Sequence, residues 1–283
     1  MRRILQLSML GVALGASSAC APEKIFDSPV PPTAGIRFIH AMPDHGPVDF
    51  RPVDIVENSS FYAVAFRSTT LLFYKNARAG QRQFKVFMNN SNLGLPAAQQ
   101  QQIASTVLVD TTVTLEAGKR YTFILWGFAN AQPGRVLKII EDDPADPGTQ
   151  VALRVINAAA GLGALDVRQY PSTGTAPATP TWAAVPALSV SNYVNVAAGG
   201  VRYNVQPAGG GTALFADATA PAGSAAVTGP PGPFDAIPGT TVAGSAVTGI
   251  IFPRSVAGSP APNLTTPAIV FVWDRRPPRP PGV

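Results

Sequence analysis

Two short stretches hold most of the side chains whose types could do chemistry. His40, Asp44 and His45 fall within one six-residue stretch and include the chain's only two histidines. All three carry atoms that can ligate a metal, and the histidines could transfer protons. Farther on, Glu141, Asp142, Asp143 and Asp146 place four carboxylates in another short run, broken by Pro144 and closed by Pro147-Gly148. An oxygen-rich turn of this kind is a candidate calcium site, although its spacing is not that of an EF-hand loop. The competing reading is a solvated turn punctuated by Pro and Gly. Trp182 follows the Pro/Thr-rich stretch 171–180 and is the candidate exposed ring for stacking on a sugar, whereas Trp126 and Trp273 read as core. His40, Asp44 and Trp182 are therefore the candidate ligand-binding residues.

Other chemistries lack their parts. A Ser-His-Asp arrangement could draw only on His40 or His45, and no Gly-x-Ser-x-Gly elbow is present to supply the nucleophile. Gly209-Gly210-Gly211 lacks the Lys and Ser/Thr of a phosphate loop. Asp49 and Asp166 sit in short apolar runs and read as structural carboxylates that point outward or bond a neighbouring loop. No catalytic residue is assigned, and the only cofactor candidate is calcium at the acidic run.

The one cysteine, Cys20, has a different use. Arg2-Arg3, an apolar stretch over 4–16 and the small residues Ser17-Ser18-Ala19 lead up to it. The apolar stretch is too short to span a bilayer as a stable helix and reads as a signal peptide. The end of the leader resembles the bacterial lipobox, with Ser17 where that pattern prefers an aliphatic residue. A lone cysteine supports no disulfide framework. We therefore expect a lipoprotein-type signal peptide over 1–20, lipidation at Cys20 and a Pro-rich tether over 21–33. The protein would be exported and anchored to the membrane by its N-terminal lipid, at the outer membrane facing the periplasm or the cell surface.

Residues this scarce must be positioned by a frame built mostly of strands. The chain holds 29 Pro and 26 Gly among 283 residues, and long helices do not survive breakers at that density. Apolar residues at 46% suffice for real cores. Removing Arg2 and Arg3 leaves 19 of 21 bases against 16 acids, and three of those bases are Arg275, Arg276 and Arg279 at the end. No basic stripe marks the fold, so nucleic acid is not an expected partner. The tail 276–283 is basic and Pro-rich, of a kind that could touch anionic envelope polymers.

The frame repeats. Ile36-Arg37-Phe38-Ile39-His40-Ala41 matches Leu153-Arg154-Val155-Ile156-Asn157-Ala158, and the same offset pairs Gly46 with Gly163 and Asp49 with Asp166. Tyr74 through Gly80 matches Tyr193 through Gly199, and Thr122 and Ile124 match Thr248 and Ile250. Collinear matches of this kind indicate an internal duplication. Strands are expected at 36–40, with Arg37 outward, and at 69–74, 83–88, 106–115, 120–127 and 135–140. In the second half they are expected at 151–157, 164–169, 188–196, 201–206, 247–252 and 268–273. The expected fold is all-β: two tandem Ig-like β-sandwich domains, 34–142 and 150–275, joined by an acidic linker over 143–149. The Gln-rich segment 97–104 would tip a long hairpin, and 207–246 with 253–267 would be the least compact part.

Arg37-Phe38-Ile39-His40-Ala41-Met42-Pro43-Asp44, followed by Pro47-Val48-Asp49, resembles the opening signature of the bacterial domain of unknown function 4397 family. Thr114 through Thr122 is similar to that family's later strand signature. The resemblance covers both halves and is stronger in the first; in the second, the motif has become Asn157-Ala158-Ala159-Ala160-Gly161. It implies an exported or surface-bound protein with no assigned activity. We therefore expect a non-enzymatic envelope protein that binds or scaffolds an envelope protein or polysaccharide. A carbohydrate-binding surface module is the alternative, and a hydrolase comes third.

Overall fold

The computed structural model describes residues 30–68, 73–89, 105–227 and 234–278, together with positions 99 and 229. The leader, Cys20, most of the tether, nearly all of 97–104 and the tail from Arg279 onward lie outside the described residues. Residues Thr33–Val283 form one compact unit, distinct from Met1–Pro32.

The described residues are built from strands. The first half contains β1 (Thr33–Ala41), β2 (Val48–Pro52), β3 (Phe61–Val64), β4 (Lys75–Arg78), β5 (Gly80–Met88), β6 (Val107–Leu115), β7 (Arg120–Trp126) and β8 (Val136–Glu141). The second contains β9 (Gln150–Asn157), β10 (Leu165–Pro171), β11 (Trp182–Val185), β12 (Ser189–Val190), β13 (Val194–Ala197), β14 (Val201–Pro207), β15 (Phe215–Thr219), β16 (Ala246–Phe252) and β17 (Ala268–Arg275).

Each half is a sandwich of two sheets. The first half has the orders β4-β1-β7-β8 and β3-β2-β5-β6. The second has β12-β9-β16-β17, with β13 also on β9, and β11-β10-β14-β15. Pairing repeats strand for strand. β1 runs parallel to β7 with Arg37 opposite Thr122, and β9 runs parallel to β16 with Arg154 opposite Thr248.

Alternation along β1 sends its side chains to two different cores. Ile36 and Phe38 join Phe50, Phe61, Phe84 and Phe123 inside the first sandwich. Arg37, Ile39 and Ala41 take the other face, which is not solvent but the second half. There Ile39, Ile124, Trp126 and Ile140 pack against Ile156, Ile250, Phe252 and Val272 in a core that both halves share. The two middle sheets are thus covered on both faces. This explains why every residue of β16 is buried, because a sheet covered twice reads as a continuous apolar run. The halves pack as one body rather than hanging from a linker.

Four expectations change. Arg37 is fully buried rather than outward, because its face meets the second half. Of the strand expected at 69–74, residues 69–72 lie outside the described residues, and pairing begins only at Lys75. The expected run 188–196 is split into β12 and β13 by Ser191, whose N–H bonds the Val155 carbonyl while its hydroxyl accepts from the Val155 N–H. The loop 253–267 is docked rather than loose: Ala261 and Leu264 pack on the shared core, and the Val256 N–H bonds the Pro43 carbonyl.

Candidate functional site

Between the halves lies a cluster of eight polar side chains related by an approximate two-fold. Arg37 donates to Thr122 Oγ1 at 2.7 Å and to Asp274 Oδ1 at 2.8 Å, and lies 3.5 Å from Asp142 Oδ2. Arg154 mirrors it, donating to Thr248 Oγ1 at 2.7 Å, to Asp142, and approaching Asp274 at 3.4 Å. The Thr122 and Thr248 hydroxyls donate to Asp142 and Asp274 respectively. Tyr74 caps the cluster with a hydrogen bond to Asp142 at 2.7 Å and Tyr193 with one to Asp274 at 2.8 Å. Each ring also lies against an arginine, Tyr74 at 4.4 Å from Arg37 and Tyr193 at 4.6 Å from Arg154.

Two arginines and two aspartates balance in charge, which lets the cluster stay ionised in an apolar setting. Burial pulls the Arg37 guanidinium down, but Tyr74, Asp274 and Asp142 together carry it above its usual value. Burial pushes the Asp274 carboxyl up, and Arg37 with Arg154 holds it below the usual carboxylate range. Its donors are met by partners within the cluster and, for Arg37 Nη1, by the Trp273 carbonyl at 3.1 Å, so its chemistry is structural: it fixes how the halves meet.

The signature residues are also spent on structure. His40 ends β1; its Nδ1 accepts from the Met42 N–H at 3.2 Å and its Nε2 lies 3.0 Å from the Gly46 carbonyl. That pattern needs a neutral ring with the proton on Nε2. Burial pushes the imidazole down to about 3. Asn157 repeats the arrangement at the end of β9: its Oδ1 accepts from the Ala159 N–H and its Nδ2 donates to the Gly163 carbonyl. His45 Nδ1 approaches the same Gly46 carbonyl at 2.8 Å. Asp44 accepts from the Ala129 N–H at 2.9 Å and from the Asn130 N–H, tying down the loop after β7. Asp49 accepts from the Ala63 N–H at 2.8 Å, and Asp166 does the same for Ala184. Both alanines have positive φ, 50° and 47°, so each carboxylate holds a strained backbone in place.

One opening lies beside the charge cluster. The ends of β1, β4 and β7 face the end of β17 across a cleft of about 600 Å³, lined among others by Phe73, Lys119, Arg120, Trp273, Arg275 and Arg276. A smaller recess of about 250 Å³ shares Lys119, Arg120 and Arg275 and adds Glu141 and Asp143. Phe73 is 49% exposed and Trp273 37%. Trp273, read as core in the sequence, projects from the uncovered edge strand β17.

Residues 34–168 match the model of the DUF4397 family, a domain of unknown function. No curated protein matches the chain. The DUF4397 match runs past the acidic turn to take in β9 and the start of β10. It therefore holds Arg37, Thr122, Asp142 and Arg154 of the cluster, with Thr248 and Asp274 beyond it.

Three of the four acids at the end of the first half have separate cationic partners, and the fourth, Asp143, lines the small recess beside Glu141 and Asp142. Asp142 is buried between Arg154 and Arg37 instead of lying in a solvated turn. Glu141 pairs with Lys119 at 2.8 Å. Asp146 pairs with Arg275 at 2.6 Å and accepts from the Gly148 N–H. Among the described residues no group of three or more His, Cys, Asp and Glu is placed to hold a metal ion.

Trp182 is not the exposed platform expected of it. It lies in β11, 7% exposed, stacked on Tyr203 at 6.3 Å with its Nε1 donating to the Asn192 carbonyl. The bond is what lets an indole N–H be buried. Sequence reasoning missed the eight-residue cluster and the cleft. The cluster did leave a signal: Arg37 and Arg154, Tyr74 and Tyr193, Thr122 and Thr248 are all matched pairs in the repeat.

Proposed function

We propose that this protein is an exported, non-enzymatic envelope lipoprotein, lipidated at Cys20. In this reading the regions 34–142 and 150–275 are two copies of the DUF4397 sandwich, the second divergent, that together form one binding or scaffold module. The observation that carries the non-enzymatic reading is the fate of the signature: His40, Asp44, Asp49 and Asp166 each bond backbone nearby, and Asp142 and Asp274 neutralise arginines. Asp142 and Asp274 border the recess and the cleft, yet each is matched there by an arginine. The repeated strand pairing supports the duplication.

Three measurements test this. Mass spectrometry of the native N-terminus should find a lipidated Cys20; an unmodified peptide starting at Ala21 would remove the anchor. Purified residues 21–283 should show no turnover on esters, glycans, peptides or phosphoesters. Turnover that disappears in His40→Ala or Asp44→Ala would replace the binding reading with a catalytic one. The same material, immobilised, should retain an envelope polymer or protein identifiable by mass.

Carbohydrate binding is the second reading. It is favoured by the pair of exposed rings, Phe73 and Trp273, that line one cleft together with arginines.

A further inference from the structure

The approximate two-fold allows each position in one half to be compared with its counterpart in the other. Strand register sets the counterparts. Gly35 faces Arg120 as Ala152 faces Ala246, so Arg120 corresponds to Ala246. Tyr121 faces Glu141 as Val247 faces Trp273, so Trp273 corresponds to Glu141 and Arg275 to Asp143. Gly35 faces Asn76 as Ala152 faces Asn195, which aligns Tyr74 with Tyr193 and Phe73 with Asn192.

Two classes of residue emerge. Those that form the charge cluster are the same in both: arginine, threonine, aspartate and tyrosine at all four paired positions. Those that line the cleft are not. Phe73, Lys119, Arg120, Trp273, Arg275 and Arg276 stand where the other half has Asn192, Ser245, Ala246, Glu141, Asp143 and Pro144. A frame needs both copies of its fastenings; a site needs one copy. The cations and aromatic residues are therefore gathered on one side of the two-fold only; Arg120 and Arg275 also make structural contacts, to the Asp274 carbonyl and to Asp146, whereas the strand register does not call for Phe73, Trp273 or Arg276.

The chemistry of the side that has them is specific. Trp273 and Phe73 are partly exposed aromatic residues in the cleft lining, a residue type that suits the apolar face of a sugar ring. Arg120 and Arg276 offer guanidinium groups, which pair with carboxylates in bidentate fashion. Arg120 is anchored by a bond from its Nη1 to the Asp274 carbonyl at 2.6 Å, so its position is fixed before any ligand arrives. Arg275 is held from the rim by Asp146, yet its Nε is buried with no hydrogen-bond partner. A buried donor left unpaired calls for an acceptor. The one carboxylate in the cleft wall, Asp274, is already matched by Arg37 and Arg154. A volume of about 600 Å³ is within the range of small-ligand sites.

We propose that this cleft binds an acidic saccharide, with its ring against Trp273 and Phe73 and its carboxylate between Arg120, Arg275 and Arg276. The inference rests on the reading of the protein as a binding module and names the ligand class.

The test is calorimetric titration of residues 21–283 with tetrasaccharides of galacturonate, mannuronate and glucuronate. Neutral cello-tetraose, inorganic phosphate and phosphatidylglycerol vesicles serve as separate arms. At least one uronate should bind, more weakly as salt rises, and neither phosphate nor the neutral tetrasaccharide should displace it. Trp273→Glu, which copies the other half, and Arg276→Ala, which alters an exposed side chain, should each weaken binding at least tenfold. The proposal is overturned if no uronate binds, if the neutral sugar binds equally, if phosphate competes fully, if the vesicles alone bind, or if neither substitution matters. Envelope material retained equally by wild type and Trp273→Glu would overturn the cleft while leaving the binding-module reading in place.

Discussion

Arg37 of the first half and Asp274 of the second meet at 2.8 Å with neither side chain exposed. The reciprocal contact, Arg154 to Asp142, crosses the junction in the other direction. Each half thus supplies one arginine and one aspartate to a cluster that neither could neutralise with the same geometry alone. Taking away one partner strands a buried charge. Arg37→Met should cost about 3–5 kcal/mol in urea unfolding, and Arg154→Met a similar amount. A loss below about 1 kcal/mol, the scale of a surface ion pair, would mean the cluster is not what joins the halves.

His40 gives the fold a pH dependence of known sign. The folded ring sits at about 3, against about 6.5 in the unfolded chain. Between these values the unfolded chain binds a proton that the folded chain refuses. The contribution is fully present above pH 6.5 and is lost as pH falls toward 3, at no more than about 1.4 kcal/mol per pH unit. His40→Asn should keep stability at pH 7, because Asn157 makes the same two bonds at the equivalent place. It should also flatten stability between pH 6.5 and 4.5, above the range where Asp274 is protonated. Denaturation across that range checks it; an unchanged slope would place the dependence elsewhere.

The positive-φ alanines make the equivalence of Asp49 and Asp166 testable. Asp49→Ala leaves the Ala63 N–H without its acceptor, and Asp166→Ala does so for Ala184. Each should destabilise by about 0.5–1.5 kcal/mol, the net scale for one intramolecular hydrogen bond. Both substitutions should leave saccharide binding unchanged, since neither residue lines the cleft. Measured losses under about 0.5 kcal/mol for both, the range of surface substitutions, would show that these carboxylates do not hold the turns.

Much of this frame was legible in the sequence, for a physical reason. Alternation along 36–40, 83–88 and 151–157 appears directly as β1, β5 and β9, because one face of each is apolar for a core. β3 and β11 escaped notice because their two central residues are exposed and each carries a left-handed alanine, which breaks any alternation. His40 and Asn157, matched in the repeat, make equivalent backbone bonds near the ends of their strands. Arg37 and Asp142 were misplaced, as outward and as solvated, because a single sandwich has no reason to bury them. Only the packing of the second half against the first does so, and no local pattern records that contact. Trp182 and Trp273 were read in the wrong order for a related reason: β11 is covered by its own sandwich, while β17 is an uncovered edge.

In the proposed arrangement the charge-cluster residues that the halves share build the frame, while residues they do not share build the site. A variant that restores the symmetry separates the two. Phe73→Asn, Arg120→Ala and Trp273→Glu together give the cleft the residues of its counterpart, leaving the eight-residue cluster intact. Calorimetric titration of this variant with the uronate tetrasaccharide that binds wild type should show no binding, in protein that still unfolds in a single cooperative urea transition. Titration with wild-type affinity would contradict that arrangement.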